Sequence, residues 1–330
     1  MGEPSVFVVI LNWNGLADTI LCLDSLGDLS YPREQLRVVV VDNGSHDGSP
    51  GVLRSRYPAI TVIENHRNLG YTGGVNVGLR FAVSGGADYV WLLNNDTTVE
   101  SESLSRLVHA GEAQPGIGLL SPGVYDSESG ALHWAGTVLD VPRRVFVDVV
   151  DAEDRRVGAA DGPMLLWGTG MLIKRAAAEA VGYFDDRYFA YVEDLDYSLR
   201  AIKKGMETRV IRDARIFHRG SRSLGPMSPL RHYLLARNRY LFWSSHLGAE
   251  WTWREAGRRL ADILGAAAES RRGGRNEIGR ASLDAAWDAL RGRFGDVAMR
   301  GRMPWLVRAL LTWHPYLWIR LLHGKLRGHG

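Results

Sequence analysis

The chain of 330 residues has one cysteine, Cys22, so no disulfide can form within it and stability must come from a packed core. A reducing, cytoplasmic setting suits that composition. Long apolar runs are also missing. No uncharged stretch reaches the roughly 20 residues that a bilayer-spanning helix needs. The early run over residues 6–11 lacks a basic leader and stops at Asn12, so no secretory leader is expected. Neither the G-x-G-x-x-G dinucleotide fingerprint nor the Gly-Lys-Ser/Thr ending of a P-loop is present. No acidic residue follows Asp296.

With 45% hydrophobic and 23% charged residues, the chain has the composition of an ordinary soluble globular protein. Its net charge of +3 hides an asymmetry. Residues 1–250 carry 25 basic against 30 acidic side chains, and residues 251–330 carry 15 against 7. A basic tail on a mildly acidic body suits an anionic partner, nucleic acid or a lipid surface. A solvated basic helix would look the same.

Apolar runs of strand length alternate with helical periodicity. Strands are expected over 6–11, 36–41, 60–64, 89–93 and 117–122, with helices beginning near Leu16, Val75 and Leu104. Residues 125–162 read as hairpins and loops. Further short strands are expected over 171–174, 210–211 and 216–218, and a helix runs to about Gly205. This alternation implies right-handed crossovers and a mostly parallel α/β sheet of the doubly wound kind.

Strand after strand ends in amides and carboxylates. The first stops at Asn12-Trp13-Asn14-Gly15, the second at Asp42-Asn43-Gly44-Ser45, the fourth at Asn94-Asn95-Asp96-Thr97. In open α/β sheets ligands bind beyond the carboxyl ends of the strands. Asp96 there suits a divalent cation, and a cation suits a diphosphate. The competing reading of Asn95 to Thr98 is a helix N-cap. A second acidic cluster, Glu193-Asp194-Leu195-Asp196, opens a helix. Acids in a first turn are favoured by the dipole, but three in four residues exceed that need, and one could act as a general base. His218 alone would more often be a satisfied core residue than a ligand.

Taken together, Val41-Asp42-Asn43-Gly44-Ser45, Asn68-Leu69-Gly70-Tyr71-Thr72-Gly73-Gly74, Leu93-Asn94-Asn95-Asp96-Thr97, Phe184-Asp185-Asp186 and Glu193-Asp194-Leu195-Asp196 resemble the family-2, GT-A-fold glycosyltransferases, especially rhamnosyltransferase-like members. The order of five motifs is far more specific than any one of them. The resemblance covers roughly residues 5–245, so a catalytic domain over 1–245 and a helical, Trp-rich extension over 246–330 are expected. It implies inverting transfer from a nucleoside diphosphate sugar, dTDP- or UDP-linked, with rhamnose favoured, to a glycan or polyprenyl-linked acceptor. Asn12, Asn14, Asp42, Arg67, Asn68, Gly70, Gly73, Asn94, Asn95 and Asp96 would lie on the donor side, with Asp42 at the pyrimidine or ribose. Asp96 matches the second acid of the family's Asp-x-Asp metal motif, and Asn94 stands where the first acid belongs. That departure removes one charge from the Mg²⁺ or Mn²⁺ site, to which His218 would contribute. Asp194 matches the catalytic base; Trp167, Gly168 and Glu193 would lie on the acceptor side.

Two other readings use the same residues: a nucleotide-sugar hydrolase or nucleotidyltransferase, and a non-catalytic nucleotide or glycan binder. The tail carries no recognised nucleic-acid motif, so nucleic acid is not an expected partner. Over 300–325, Trp305, Leu306, Ala309, Leu310, Trp313, Leu317 and Leu321 recur at mostly helical spacing among Arg300, Arg302, Arg308 and Arg320, with Pro315 breaking the run. Such a face suits a helix lying on an anionic membrane surface, here the inner face of the cell membrane. Packing on the catalytic domain or on a second subunit in a homodimer would suit it nearly as well.

Overall fold

The computed structural model describes residues 2–150, 162–220, 225, 227–297 and 301–313. They form two compact units. Of the described residues, those up to 185 and 193–220 make one, and 186–192 with those after 220 make the other.

In the first unit β1 (Val6–Asn12), β2 (Leu36–Asp42), β3 (Thr61–Glu64) and β4 (Tyr89–Asn94) are parallel, in the order β3-β2-β1-β4. Val6, Phe7, Val8, Val9 and Ile10 of β1 and Val39, Val40 and Val41 of β2 are buried, so both faces of each are covered. Strands covered on both faces read as continuous apolar runs, which is why they were legible in the sequence. The sheet continues through β11 (Leu172–Lys174), β6 (Ile117–Asp126), β12 (Glu207–His218) and β5 (Thr97–Val99). β11 is antiparallel to both β4 and β6. β7 (Leu132–Trp134) pairs with β6, and β8 (Thr137–Asp140), β9 (Val145–Asp148) and β10 (Met164–Leu165) make a separate three-stranded sheet. The helices of this unit are α1 (Leu16–Leu26), α2 (Ser49–Arg56), α3 (Gly70–Ser84), α4 (Ser103–Ala113), α5 (Arg175–Val181) and α6 (Glu193–Lys203).

Three expectations need correction. Residues 207–218 form one strand instead of two: β12 pairs with β6 on both sides of a register shift between Ile211 and Arg215. An irregularity of this kind interrupts the ladder and leaves residues 212–214 unpaired, and so mimics a loop in sequence. The helix expected from Val75 begins at Gly70. Gly74 and Gly78 lie against Leu11 and Val9, where a Cβ would collide with both side chains. The glycines therefore let the helix lie close on β1, and composition mistook packing for a flexible turn. Finally, the N-cap reading of residues 95–98 fails. Asn95 and Asp96 form the turn between β4 and β5, and α4 does not begin until Ser103.

The second unit contains α7 (Pro229–His246), α8 (Trp253–Arg272), α9 (Asn276–Leu290) and α10 (Trp305–Trp313). α7 and the segment 186–192 belong to it, whereas the expected division fell at residue 246. Its core joins Tyr233 and Leu234 of α7 to Ala281 and Ala285 of α9. Among the described residues no helix is long and apolar enough to cross a membrane. The expected break at Pro315 and the helix beyond it lie outside the described residues.

Candidate active site

The strand register brings three ends level. Asn12 pairs with Asp42, and Leu11 with Asn94. The side chains there hold one another. Asn12 Nδ2 donates to Asp42 Oδ2 at 2.7 Å, Asp42 Oδ1 accepts from the Ser45 amide at 2.9 Å, and Asn12 Oδ1 accepts from the Thr19 hydroxyl at 2.8 Å. Asn14 adopts a left-handed φ of 50°, accessible to Asn through its short polar side chain. Its Oδ1 accepts from the His46 amide at 2.8 Å. Asn95 Nδ2 donates to the Thr19 hydroxyl at 3.1 Å, which fastens the β4–β5 turn to α1.

Asn43, buried, is the knot of the next turn. Its Oδ1 accepts from Asn65 Nδ2 at 3.0 Å and the Leu69 amide at 3.1 Å. Its Nδ2 donates to Asn68 Oδ1 and the Gly70 carbonyl, each at 3.0 Å. This fixes the start of α3. Gly44, at φ +76°, meets the Arg67 backbone, where a Cβ would stand 2.8 Å from Cα. Arg67 itself is exposed.

At the tip of β4, Asp96 Oδ1 lies 3.1 Å from His218 Nε2. The pairing of Thr97 with His218 between β5 and β12 dictates that meeting. The Arg219 amide donates to the Asp96 carbonyl at 3.1 Å, and Arg219 also reaches Asp18 at 3.5 Å. Asn94 Nδ2 turns to the Thr169 hydroxyl at 3.5 Å. Among the described residues no three His, Cys, Asp or Glu side chains are grouped as a metal cage. One carboxylate and one imidazole fit Mn²⁺ or Mg²⁺ only when a ligand's oxygens complete the shell, which is how these ions commonly sit on diphosphates.

The second acidic cluster lies in the first turn of α6. Asp194 Oδ2 accepts from the Gly168 amide at 2.9 Å, and Oδ1 from the Leu195 amide at 2.8 Å. Burial pushes the Asp194 carboxyl up to about 6, the two amides pull it down, and the charge of Asp148 adds to the rise. Glu193 is buried, its Oε2 has no hydrogen-bond partner, and burial followed by the Asp194 charge holds it well above the usual carboxylate range. Asp196 is bound to Arg200 at 2.8 Å, so this acid serves the helix. Trp167 stacks on buried Trp134, centroids 4.6 Å apart and planes 16° from parallel, with His133 edge-on at 6.2 Å.

One residue was missed. Tyr71 Oη donates to the Gly168 carbonyl at 3.2 Å. Burial first, then the charges of Glu193, Asp194 and Asp96, hold its hydroxyl well above the phenol range. Nothing in sequence separates this tyrosine from a core aromatic at a helix start.

The profile of Glycosyl transferase family 2 matches residues 5–182. The chain belongs to that family. The N-acetylglucosaminyl-diphospho-decaprenol L-rhamnosyltransferase of Mycobacterium tuberculosis is 28% identical over 251 residues, covering 68% of this chain and 80% of the relative. Galactofuranosyltransferase GlfT1 of the same organism is 28% identical over 222 residues, covering 65% and 70%. Among solved structures, the mannosyltransferase PcManGT from Pyrobaculum calidifontis, in complex with GDP-Man and Mn²⁺, aligns with a TM-score of 0.55 at 20% identity, covering 98% of this chain and 85% of that one. GalNAc-T7 with UDP, GalNAc and Mn²⁺ aligns at 0.58 and 15% identity, covering 88% and 58%. The fold is GT-A, and this family-2 glycosyltransferase uses a nucleoside diphosphate sugar as donor.

Proposed function

We propose that the enzyme transfers a sugar, rhamnose from dTDP-rhamnose being the first candidate, to a hydroxyl of a glycan or polyprenyl-linked acceptor, with inversion at the sugar carbon. The observation that carries this reading is Asp194, a carboxylate held by two backbone amides with a pKa raised to about 6. A general base is most useful when its pKa lies near the working pH. Asp194 takes the proton from the acceptor hydroxyl as that oxygen attacks, so no enzyme nucleophile is needed and Cys22 remains a buried core residue.

Asp96 and His218 would hold Mg²⁺ or Mn²⁺ together with the donor, and the positive charge so held would favour departure of the diphosphate. Asn12, Asn14, Asn68, Gly70, Gly73, Asn94 and Asn95 shape the donor side, and Arg67 supplies an exposed cation to it. Asp42 already accepts two hydrogen bonds within the protein, so it meets the pyrimidine or ribose through its remaining lone pairs or through the loop it orders. Trp167, Gly168 and Glu193 face the acceptor. The rhamnosyltransferase relative's name includes a decaprenol diphosphate, which supports a lipid-linked acceptor and a place on the inner face of the cell membrane.

The test is turnover of dTDP-rhamnose, UDP-galactofuranose and UDP-hexoses with Mn²⁺ and a polyprenyl diphosphate-linked N-acetylglucosamine acceptor, with anomeric configuration read by NMR. A glycosylated product of inverted configuration is expected. Nucleotide release with no product would identify a hydrolase, and nucleotide binding without turnover a non-catalytic binder.

A further inference from the structure

We propose that Tyr71 is a positioning residue for Asp194, tying the donor-side turn to the base. The proposal rests on Asp194 being that base. Tyr71 stands in the first turn of α3, whose start is pinned by Asn43 through the Gly70 carbonyl and Asn68, each at 3.0 Å. From that fixed point its hydroxyl holds the Gly168 carbonyl at 3.2 Å, and the amide of the same residue holds Asp194 Oδ2 at 2.9 Å. Gly168 is the hinge between the two bonds.

A glycine at 168 leaves room for the Tyr71 hydroxyl. A Cβ there would lie 2.9 Å from the Tyr71 hydroxyl and 3.6 Å from Asp194 Cβ. That absence has a cost, since glycine alone sets neither φ nor ψ. The direction of its N–H therefore depends on what grips the carbonyl on the other side of Cα. Tyr71 supplies that grip from a helix packed on β1 through Gly74 and Gly78. A continuous path thus runs from the end of β2, through Asn43 and the start of α3, to the carboxylate in α6.

The experiment compares wild type with Tyr71→Phe, which keeps the ring and removes only the hydroxyl. Expected are a kcat lower by about fivefold, the worth of one neutral hydrogen bond, and donor affinity within about twofold of wild type. The acidic limb of the kcat pH profile should move to higher pH, because a loosened Gly168 amide stabilises the carboxylate less. Unchanged kcat and an unchanged limb in a folded variant would overturn the proposal. So would a raised acceptor KM with both unmoved, which would make Tyr71 an acceptor contact. Asp194→Asn is run beside it. If that variant turns over like wild type, the assignment of the base fails, and this inference with it. If it is inactive while Tyr71→Phe behaves as wild type, only this inference fails.

Discussion

At the scale of single residues, the proposed function asks three side chains, Asp194, Asp96 and His218, to do the chemistry. Asp194→Asn is expected to keep donor affinity and lose roughly 10²–10⁴-fold in kcat, the usual worth of a general base. Single-turnover assays alongside nucleotide titration separate the two. In wild type, kcat/KM should fall as pH drops below about 6, where burial keeps the proton on Asp194. The stability effect has the opposite sign to that of a salt-bridged aspartate. A carboxyl raised from 3.8 to about 6 by the fold adds stability at low pH and loses it as pH rises through that window. Asp194→Asn should therefore be at least as stable as wild type at neutral pH by urea midpoint. If the proposed site holds Mn²⁺ with the nucleotide, Asp96→Ala is expected to abolish any gain in nucleotide affinity from the metal, since Asp96 would be its hard ligand and Asn94 brings no second charge. His218→Ala should lose less. Calorimetric titration with and without Mn²⁺ decides both, and an unchanged metal effect in Asp96→Ala would remove Asp96 from the site.

At the scale of elements, α10 is the piece with unexplained surface. Trp305 is 68% exposed and Leu306 56%, with Arg302 and Arg308 beside them in sequence. Backbone amides of Gly301 and Met303 bind Asp288 and Asp284 of α9, at 2.9 and 3.0 Å, and anchor the approach to the helix. A Trp-bearing apolar face with basic neighbours suits the headgroup region of an anionic bilayer, and each basic group near such a surface contributes about 1 kcal/mol. The full chain should co-sediment with anionic liposomes at low salt and less so at high salt. A chain ending at Gly301 should stay in the supernatant. If both sediment equally, the residues after Gly301 are not the anchor. The elements of the catalytic sheet were largely legible, because a strand buried on both faces must be apolar throughout. β12 was not, since its register shift breaks the pattern at Arg212-Asp213-Ala214. α3 was read five residues short because its glycines serve contact with β1.

At the scale of the whole molecule, the second compact unit carries a polar cluster in its own core. Asn238 is fully buried. Its Nδ2 lies 2.7–2.8 Å from the carbonyls of Tyr188, Ala190 and Tyr191. Buried Arg237 donates to the carbonyls of Tyr188 and Gly295, both at 3.0 Å. The segment they hold is strained: Phe189, Tyr191 and Val192 have φ of 66°, 70° and 74°, rare for bulky or β-branched residues. Asn238→Ala should cost about 1–3 kcal/mol, because buried carbonyls lose a donor while Arg237 still holds that of Tyr188. Urea unfolding followed by tryptophan fluorescence checks this, and an unchanged midpoint would show that the segment holds its shape without the amide.

The amino-acid order alone was enough for the α/β class, the family, and which acids and amides stand at strand ends, because burial on two faces and the avoidance of buried unpaired polar groups both leave local marks. The resemblance of its motifs to the family also put Asp96, Asp194 and His218 among the candidates. What those side chains touch was settled in three dimensions. His218 meets Asp96 because β12 returns beside β5 across more than a hundred residues, and Tyr71 meets Gly168 from 97 positions away. Contacts of that range are fixed by strand order and register, which depend on how all the buried faces pack at once and not on any window of the chain.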